Sequence, residues 1–429
     1  MLAEVSPANL HAIVAKLASF GTRHTLSDTT SATRGIGAAR AWIKSEMVRV
    51  AAESGRTGDD AVAVSFDAHK VAADGKRVTR DVDVVNVVAV VPGALPSART
   101  RRYYVMGHYD SRATDPNDAT SDAPGANDDA SGVAVVMELL RVMSKRRYDA
   151  TLVFIAVAGE EQGLFGSTEH AKAVRASGID VRGVLNNDIV GDPSSPLGGR
   201  HDRRVRVFSE GLPSAATPEE AAEIRKQGGE ADSPSRSLAR YVAEVAAWQK
   251  TEVEPMLVLR PDRIRRGGDH LPFAAAGFAA VRFTTVDETY SRQHQDVRVE
   301  NGMRYGDVVE YVDADYLARV ARVNGATLAH LANAPSTPTA VAILSDELGN
   351  DAPIRWAPSP EPDVAGYEVV WRETTSATWQ RAMDAGSATS VHVPLNKDDY
   401  FFGVRAYDLN GYRSPVAFAR ATATAVPVK

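Results

Sequence analysis

The sequence predicts an α/β fold, with a mixed and mostly parallel sheet flanked by helices, followed by a smaller all-β sandwich. Three observations carry that expectation. Apolar runs at 85–91, 103–106 and 151–158 have the length and near-continuity of strands buried on both faces. After them, apolar residues recur at helical spacing, so strands and helices alternate along the chain. Past Pro335-Ser336-Thr337-Pro338 the period changes from helical to alternating, which marks a linker and a second unit.

In chain order, Val85 to Val91 and Tyr103 to Met106 read as sheet core, and Thr151 to Ala158 as a strand covered on both sides. Val133, Val136, Met137 and Leu140 place a helix directly after the turn that holds Asp128. The next helix starts near Phe165-Gly166-Ser167 and runs through Val174, so Glu160-Glu161 falls in a strand-to-helix turn. Residues of this kind at the carboxyl ends of successive strands describe an open sheet with its site in the crevice beyond them. From Gly191 to Arg236, Pro193, Pro196, Pro213, Pro218 and Pro234 interrupt any long element. A surface insertion over 191–236 is expected, either a wall of the cleft or an ordinary loop, with a short helix around Pro218 to Lys226. Asp269 precedes an apolar stretch as a helix cap would, and Val308 to Leu331 is long enough for one or two packing helices. The first domain is therefore drawn as 1–334 and the second as 338–429. In the second, Tyr367, Val369 and Trp371 share a face, as do Tyr400, Phe402, Val404 and Ala406.

A net charge of −6 leaves no basic stripe, which argues against nucleic acid as a partner, and no apolar run approaches the length of a membrane span. The absence of cysteine excludes thiolate metal sites and cysteine nucleophiles. What remains is rich in histidine and carboxylate. The chain carries His108-Tyr109-Asp110, then Asp128 ahead of Ser131-Gly132, then Glu160-Glu161, then Asp188, each beside an apolar run, and His294 within Gln293-His294-Gln295-Asp296. A catalytic zinc takes about three ligands from His, Asp and Glu, and two ions roughly 3.5–4 Å apart need a bridging carboxylate to offset their repulsion. Asp128 is the candidate bridge. Adjacent residues at a strand end point in different directions, so one glutamate of the pair can bind metal while the other faces water as a general base. Asp110 is placed to accept the His108 ring N–H that is not metal-bound.

Other polar residues have plainer readings. His170, His201 and His330 stand alone and are expected to be structural. Asp115, Asp118 and Asp122, beside Pro116 and Pro124, read as a solvated loop, with a calcium loop as the alternative. Asp269-His270 is either the start of a helix or a contributor to the site, and Arg263, Arg265 and Arg266 are either surface charge or attractors of a substrate carboxylate.

Taken together, the stretches Gly107-His108-Tyr109-Asp110, Gly125-Ala126-Asn127-Asp128-Asp129-Ala130-Ser131-Gly132, Gly159-Glu160-Glu161-Gln162-Gly163-Leu164-Phe165-Gly166-Ser167, Asn187-Asp188, Gly268-Asp269-His270-Leu271-Pro272-Phe273 and Gln293-His294 resemble the family M28 zinc aminopeptidases over roughly residues 85–330. The resemblance implies a zinc-exopeptidase fold and two zinc ions per chain. It implies one ion held by His108 and Asp188, the other by Glu161 and His294, with Asp128 bridging, Glu160 as base and a cis peptide between Asp128 and Asp129. Where the family often carries Tyr and Thr around the last histidine, this chain has Gln293 and Gln295, which leaves Tyr290 as the candidate phenol for an oxyanion. Peptides are the implied substrates, cleaved by aminopeptidase or carboxypeptidase action. A silent adhesion protein is the competing class, against which the intact ligand set argues; an M20-like enzyme or a single-zinc glutaminyl-cyclase-like enzyme fits the motifs less well.

The second unit looks like a fibronectin type III module, with Tyr400 as its corner tyrosine. Three roles stay open for it: contact with a surface or polysaccharide, bracing of the first domain, or spacing. Met1 to Leu10 lack a charged segment followed by an apolar one, which taken literally means cytoplasmic. Such a module is commonest outside the cytoplasm, so a secreted or periplasmic location is expected.

Overall fold

The computed structural model describes residues 1–345 and 349–422. Eight strands, β1 (Ala63–Val71), β2 (Val82–Val91), β3 (Arg101–His108), β4 (Thr151–Val157), β5 (Asp180–Asn187), β6 (Arg204–Phe208), β7 (Glu254–Val258) and β8 (Ala280–Thr284), form one mixed sheet. Its order is β1-β2-β4-β3-β5-β8-β6-β7. The centre, β4-β3-β5-β8, is parallel, while β2 meets β4 and β6 meets β8 antiparallel.

Nine helices accompany these strands among the described residues: α1 (Pro7–Ala18), α2 (Gly35–Glu53), α3 (Ala130–Met143), the single turn α4 (Glu160–Gly163), α5 (Phe165–Ala176), α6 (Pro218–Lys226), α7 (Pro234–Trp248), α8 (His270–Ala275) and α9 (Ala314–Asn333). The near-continuous apolar runs follow from two covered faces. Tyr103 and Val105 point to a core shared with α1, α2, α3, α7 and α9, whereas Tyr104 and Met106 point to a second core with α5 and α8.

The stretch 191–236 is not a surface insertion throughout. Arg204–Phe208 is strand β6 inside the sheet, with Val205 and Val207 fully buried. Burial of two valines contributes about 3–6 kcal/mol, enough to place a strand too short to read from its Arg-Val-Arg-Val-Phe pattern. The short helix expected around Pro218 to Lys226 is α6, and Pro234, which seemed to break the region, starts a further helix. Pro218 and Pro234 stand at the beginning of α6 and α7, behind Thr217 and Ser233, whose side chains accept the N–H groups of Glu220 and Arg236. Likewise, α9 begins only at Ala314, because Asp313 caps it by accepting the Tyr316 N–H.

After a hairpin of β9 (Arg298–Glu300) and β10 (Met303–Tyr305), and past α9, the described residues carry only strands among their regular elements. The strands are β11 (Thr339–Leu344), β12 (Ala352–Ala357), β13 (Val364–Glu373), β14 (Arg381–Gly386), β15 (Ser390–Val393), β16 (Tyr400–Asp408), β17 (Ala417–Phe418) and β18 (Arg420–Thr422). They make two four-stranded sheets, β15-β12-β11-β18 and β14-β13-β16-β17, around Trp356, Tyr367, Val369, Phe402, Val404 and Ala406. Tyr400 packs edge-on to Phe402, and among the described residues its hydroxyl forms no hydrogen bond, so the expected corner bond is not made.

The outer face of β13 is buried as well, and this is what the alternating pattern hides. Val370 and Arg372 are each 1% exposed. The Arg372 guanidinium reaches Asp232 at 2.6 Å, and Arg240 of α7 meets the same carboxylate at 2.9 Å, with all three side chains buried. Around this triad Arg405 pairs with Glu244, Arg101 with Glu361, and the Tyr241 hydroxyl donates to the Arg413 carbonyl. Arg405 and Arg413 also lie over the Trp248 ring.

Candidate metal centre

The parallel strands deliver the acidic and histidine side chains to one end of the sheet. His108 closes β3, Asp188 follows β5, and Glu160-Glu161 opens α4 after β4. Gly159 makes the last of these turns possible with a φ of 74°, a left-handed conformation that costs glycine little. Asp128 precedes α3, joined to Asp129 by a cis peptide bond. Gly107 lets α3 come close to β3: a Cβ there would lie 2.6 Å from the Gly132 carbonyl carbon.

Two groups converge, His108 with Glu160 and Asp188, and Asp128 with Glu161 and His294. Asp128 lies between them. Its Oδ1 is 3.1 Å from His108 Nε2, and its Oδ2 is 2.9 Å from His294 Nε2. His108 Nε2 is also 3.9 Å from Asp188 Oδ1, and His294 Nε2 is 2.9 Å from Glu161 Oε1. That Glu161 oxygen is buried and makes no aligned hydrogen bond despite its nearness to the ring. Donors crowded together without hydrogen-bond alignment are what ligands aimed at a shared cation look like. Electrostatics agree. Burial alone would lower the His294 pKa, but Glu161 and Asp128 outweigh it and push it up to about 10, so the cluster attracts positive charge strongly. His108 is raised in the same way by Asp110 and Asp128 against burial. The residues therefore fit two divalent cations, each with one imidazole and carboxylates.

Positioning comes from residues inside the motifs, Asp129 and Gln293, and from others far from them in sequence. The Asp129 carboxylate accepts the N–H groups of His108, Gly132 and Ile189 at 2.9–3.2 Å, tying β3, α3 and the Asp188 turn together. Asp307 accepts the N–H groups of Asn127 and Asp128, and Gln293 donates to Asp128 Oδ2 at 2.9 Å. Arg23, wholly buried, donates to the carbonyls of Tyr109, Pro124 and Gly125, and burial lowers its pKa to about 10. Arg282, also buried, lies 2.8 Å from Asp188 Oδ1 and 3.1 Å from Asp262 Oδ2. A lysine cannot span two carboxylates as a guanidinium fork does, so Arg282→Lys is expected to cost about 1.5–3 kcal/mol of stability. An unchanged denaturant midpoint would show that the pairing does not matter.

The other candidate residues can now be placed. His108 Nδ1 faces Asp110, with the backbone carbonyl of Asp110 at 3.1 Å and its carboxylate oxygen at 3.6 Å. That carboxylate accepts the N–H groups of Glu160 and Glu161 and the Thr25 hydroxyl. Asp269 precedes α8 without capping it, and accepts from the Ser167 hydroxyl at 2.5 Å. Tyr290 is 62% exposed and is not among the residues that line the cleft. His170 pairs with Asp67 at 2.7 Å, His201 with Asp287, and His330 stacks near Trp248 and Tyr412. Asp115 and Asp118 close their own turns and Asp122 pairs with Arg34.

The cleft above the cluster holds about 510 Å³ and is lined by Asp128, Glu160, Glu161, Asp188 and His294 together with Gln293 and several arginines. A larger cavity of about 980 Å³ lies at the seam near Trp248, His330 and Tyr412, but no carboxylate lines it, so the smaller cleft is the chemical site.

The sequence matches the model of peptidase family M28 over residues 86–327. A probable zinc metalloprotease of Leptosphaeria maculans is 48% identical over 97% of this chain and 95% of that protein. The chain belongs to peptidase family M28. It is thus a metallopeptidase, and a second relative, a probable zinc metalloprotease of Pyricularia oryzae, is 49% identical over 96% of this chain and 82% of its own length. Among solved structures, the LapA aminopeptidase of Legionella pneumophila superposes with a TM-score of 0.53 at 19% identity, covering 77% of this chain and 73% of that one. A glutaminyl cyclase of Fimbriiglobus ruber does so with 0.52 at 19% identity, over 75% of this chain and 94% of that one. At those identities the likeness shows the shared M28 fold alone, and the chemistry has to be argued from the site.

Proposed function

We propose that this M28 metallopeptidase is a di-zinc exopeptidase, an aminopeptidase in the first instance, with His108 and Asp188 holding one ion, Glu161 and His294 the other, and Asp128 between them. The observation that carries the reading is Asp128, whose two oxygens face the two imidazoles at 3.1 and 2.9 Å. Zinc bound there supplies Lewis acidity toward a carbonyl oxygen and toward water. Glu160 acts on the protons: its carboxylate takes one from the attacking water and passes it to the nitrogen as the C–N bond breaks, leaving an acid and an amine. Without an ion, burial and the charges of Glu161, Asp188 and Asp269 raise its pKa well above the ordinary carboxyl range, so its charge depends strongly on those of its neighbours. Asp110 acts through others, holding the N–H groups of the glutamate turn. A cleft of about 510 Å³ suits one end of a peptide rather than the middle of a folded chain, which supports exopeptidase action.

A carboxypeptidase is the second reading, favoured by the arginines around the cleft. For the C-terminal unit we propose a fibronectin type III-like module spanning 338–429, on the strength of its two facing sheets. Of its three candidate roles, the buried Asp232–Arg240–Arg372 seam supports bracing. Metal analysis tests the centre. Chelation is expected to abolish peptide hydrolysis and zinc to restore it, saturating at two equivalents per chain; a single equivalent at full activity would rule out the dinuclear assignment.

A further inference from the structure

Apart from the metal cluster, every charged group that lines the cleft is an arginine: Arg77, Arg112, Arg263 and Arg266. Their partners differ. Arg263 is neutralised by Asp262 and Glu288 and also donates to the Gly267 carbonyl. Among the described residues the Arg112 guanidinium donates only to the carbonyls of Ala113 and Thr114, and that of Arg77 only to the Glu161 carbonyl, so neither has a carboxylate partner. Arg266 is half-buried, and among the described residues its guanidinium has no hydrogen-bond or ionic partner at all. Nearby on the same loop, Asp262 is already committed to Arg263 and Arg282.

Three guanidinium groups with no carboxylate paired to them among the described residues, in a concave site, favour an anion beside the metal cluster. A guanidinium fork with free N–H groups matches a carboxylate bidentately. We infer that Arg266, supported by Arg112 and Arg77, is a specificity-determining residue that binds a substrate carboxylate, so the preferred substrates are peptides bearing a carboxylate beside the scissile bond. The inference rests on the metallopeptidase reading and narrows its substrate class. That carboxylate has two sources, an acidic side chain next to the cleaved bond or the free C-terminus of a very short peptide.

The test uses the full zinc-loaded chain and four substrates: Ala-Ala-amide, Glu-Ala-amide, Asp-Ala-amide and Ala-Ala with a free C-terminus. The wild type is expected to favour carboxylate-bearing substrates over Ala-Ala-amide. Arg266→Met should lower that preference about 10- to 100-fold, mainly through KM, and Arg266→Lys should restore part of it. A preference confined to Glu-Ala-amide and Asp-Ala-amide assigns the side chain as the source; one confined to Ala-Ala assigns the C-terminus. Glutarate binding, followed by calorimetry, reads the same contact without turnover and should weaken in Arg266→Met. If the wild type cleaves Ala-Ala-amide as well as the others, or if Arg266→Met slows all four alike and binds glutarate unchanged, the inference is overturned while the peptidase stands. If none of the four is cleaved but glutarate binding depends on Arg266, the anion site stands and the peptidase reading falls.

Discussion

Glu160→Gln is expected to keep its metal and lose roughly 10²- to 10⁴-fold in kcat, because a neutral amide of the same shape cannot accept the water proton. The adjacent Glu161→Gln is expected to behave differently. Its side chain lies 2.9 Å from His294 Nε2 and belongs to the group around Asp128, so the substitution weakens metal binding, and excess zinc should recover part of the rate. Metal content measured beside kcat separates the two glutamates, although they are neighbours in the chain. If Glu160→Gln retained the parent rate, the base would have to be sought elsewhere among the groups that line the cleft.

The candidate cluster could be proposed from sequence because His108, Glu160-Glu161 and Asp188 stand at or just past the ends of β3, β4 and β5, while Asp128 opens α3 and His294 lies in a loop, each inside a short local motif. His108, Asp128, Glu160, Glu161 and Asp188 each follow or precede an apolar run, and the fold brings those strand ends to one side. The residues that hold the ligands were not legible. Asp307 grips the Asp128 backbone across 179 positions of sequence, and Arg23 grips the Gly125 carbonyl across 102. No periodicity links such positions, and a lone Arg or Asp carries no motif. The same physics explains β6, whose five residues acquire meaning only between β8 and β7. In the C-terminal unit the alternation of Tyr367, Val369 and Trp371 showed one face of β13, while burial of Val370 and Arg372 on the other face depends on α7, more than a hundred residues earlier.

That second buried face makes removal of 338–429 costly. Although the segment has its own core around Trp356, Phe402 and Val404, it does not sit on the peptidase as a loose appendage. Deleting it takes Arg372 from Asp232, a carboxylate with no exposed side-chain surface, and removes the Ala377 carbonyl to which Arg240 donates. Loss of one partner from a buried ion pair costs about 3–5 kcal/mol, and the deletion also bares apolar surface of α7 and α9, a substantial part of a typical stability of about 5–15 kcal/mol. The truncated chain is therefore expected to melt well below the parent and to lose dipeptide hydrolysis as it unfolds, although every proposed ligand and the base lie before residue 300. Asp232→Asn in the full chain should give a smaller loss of the same sign, since it leaves Arg240 and Arg372 buried side by side without an anion. Thermal unfolding of the parent, the deletion and Asp232→Asn, each with zinc content and dipeptide turnover at a temperature where all are folded, separates stability from catalysis. A deletion that melts with the parent and turns over at its rate would show the seam to be dispensable and return the C-terminal unit to the role of a spacer.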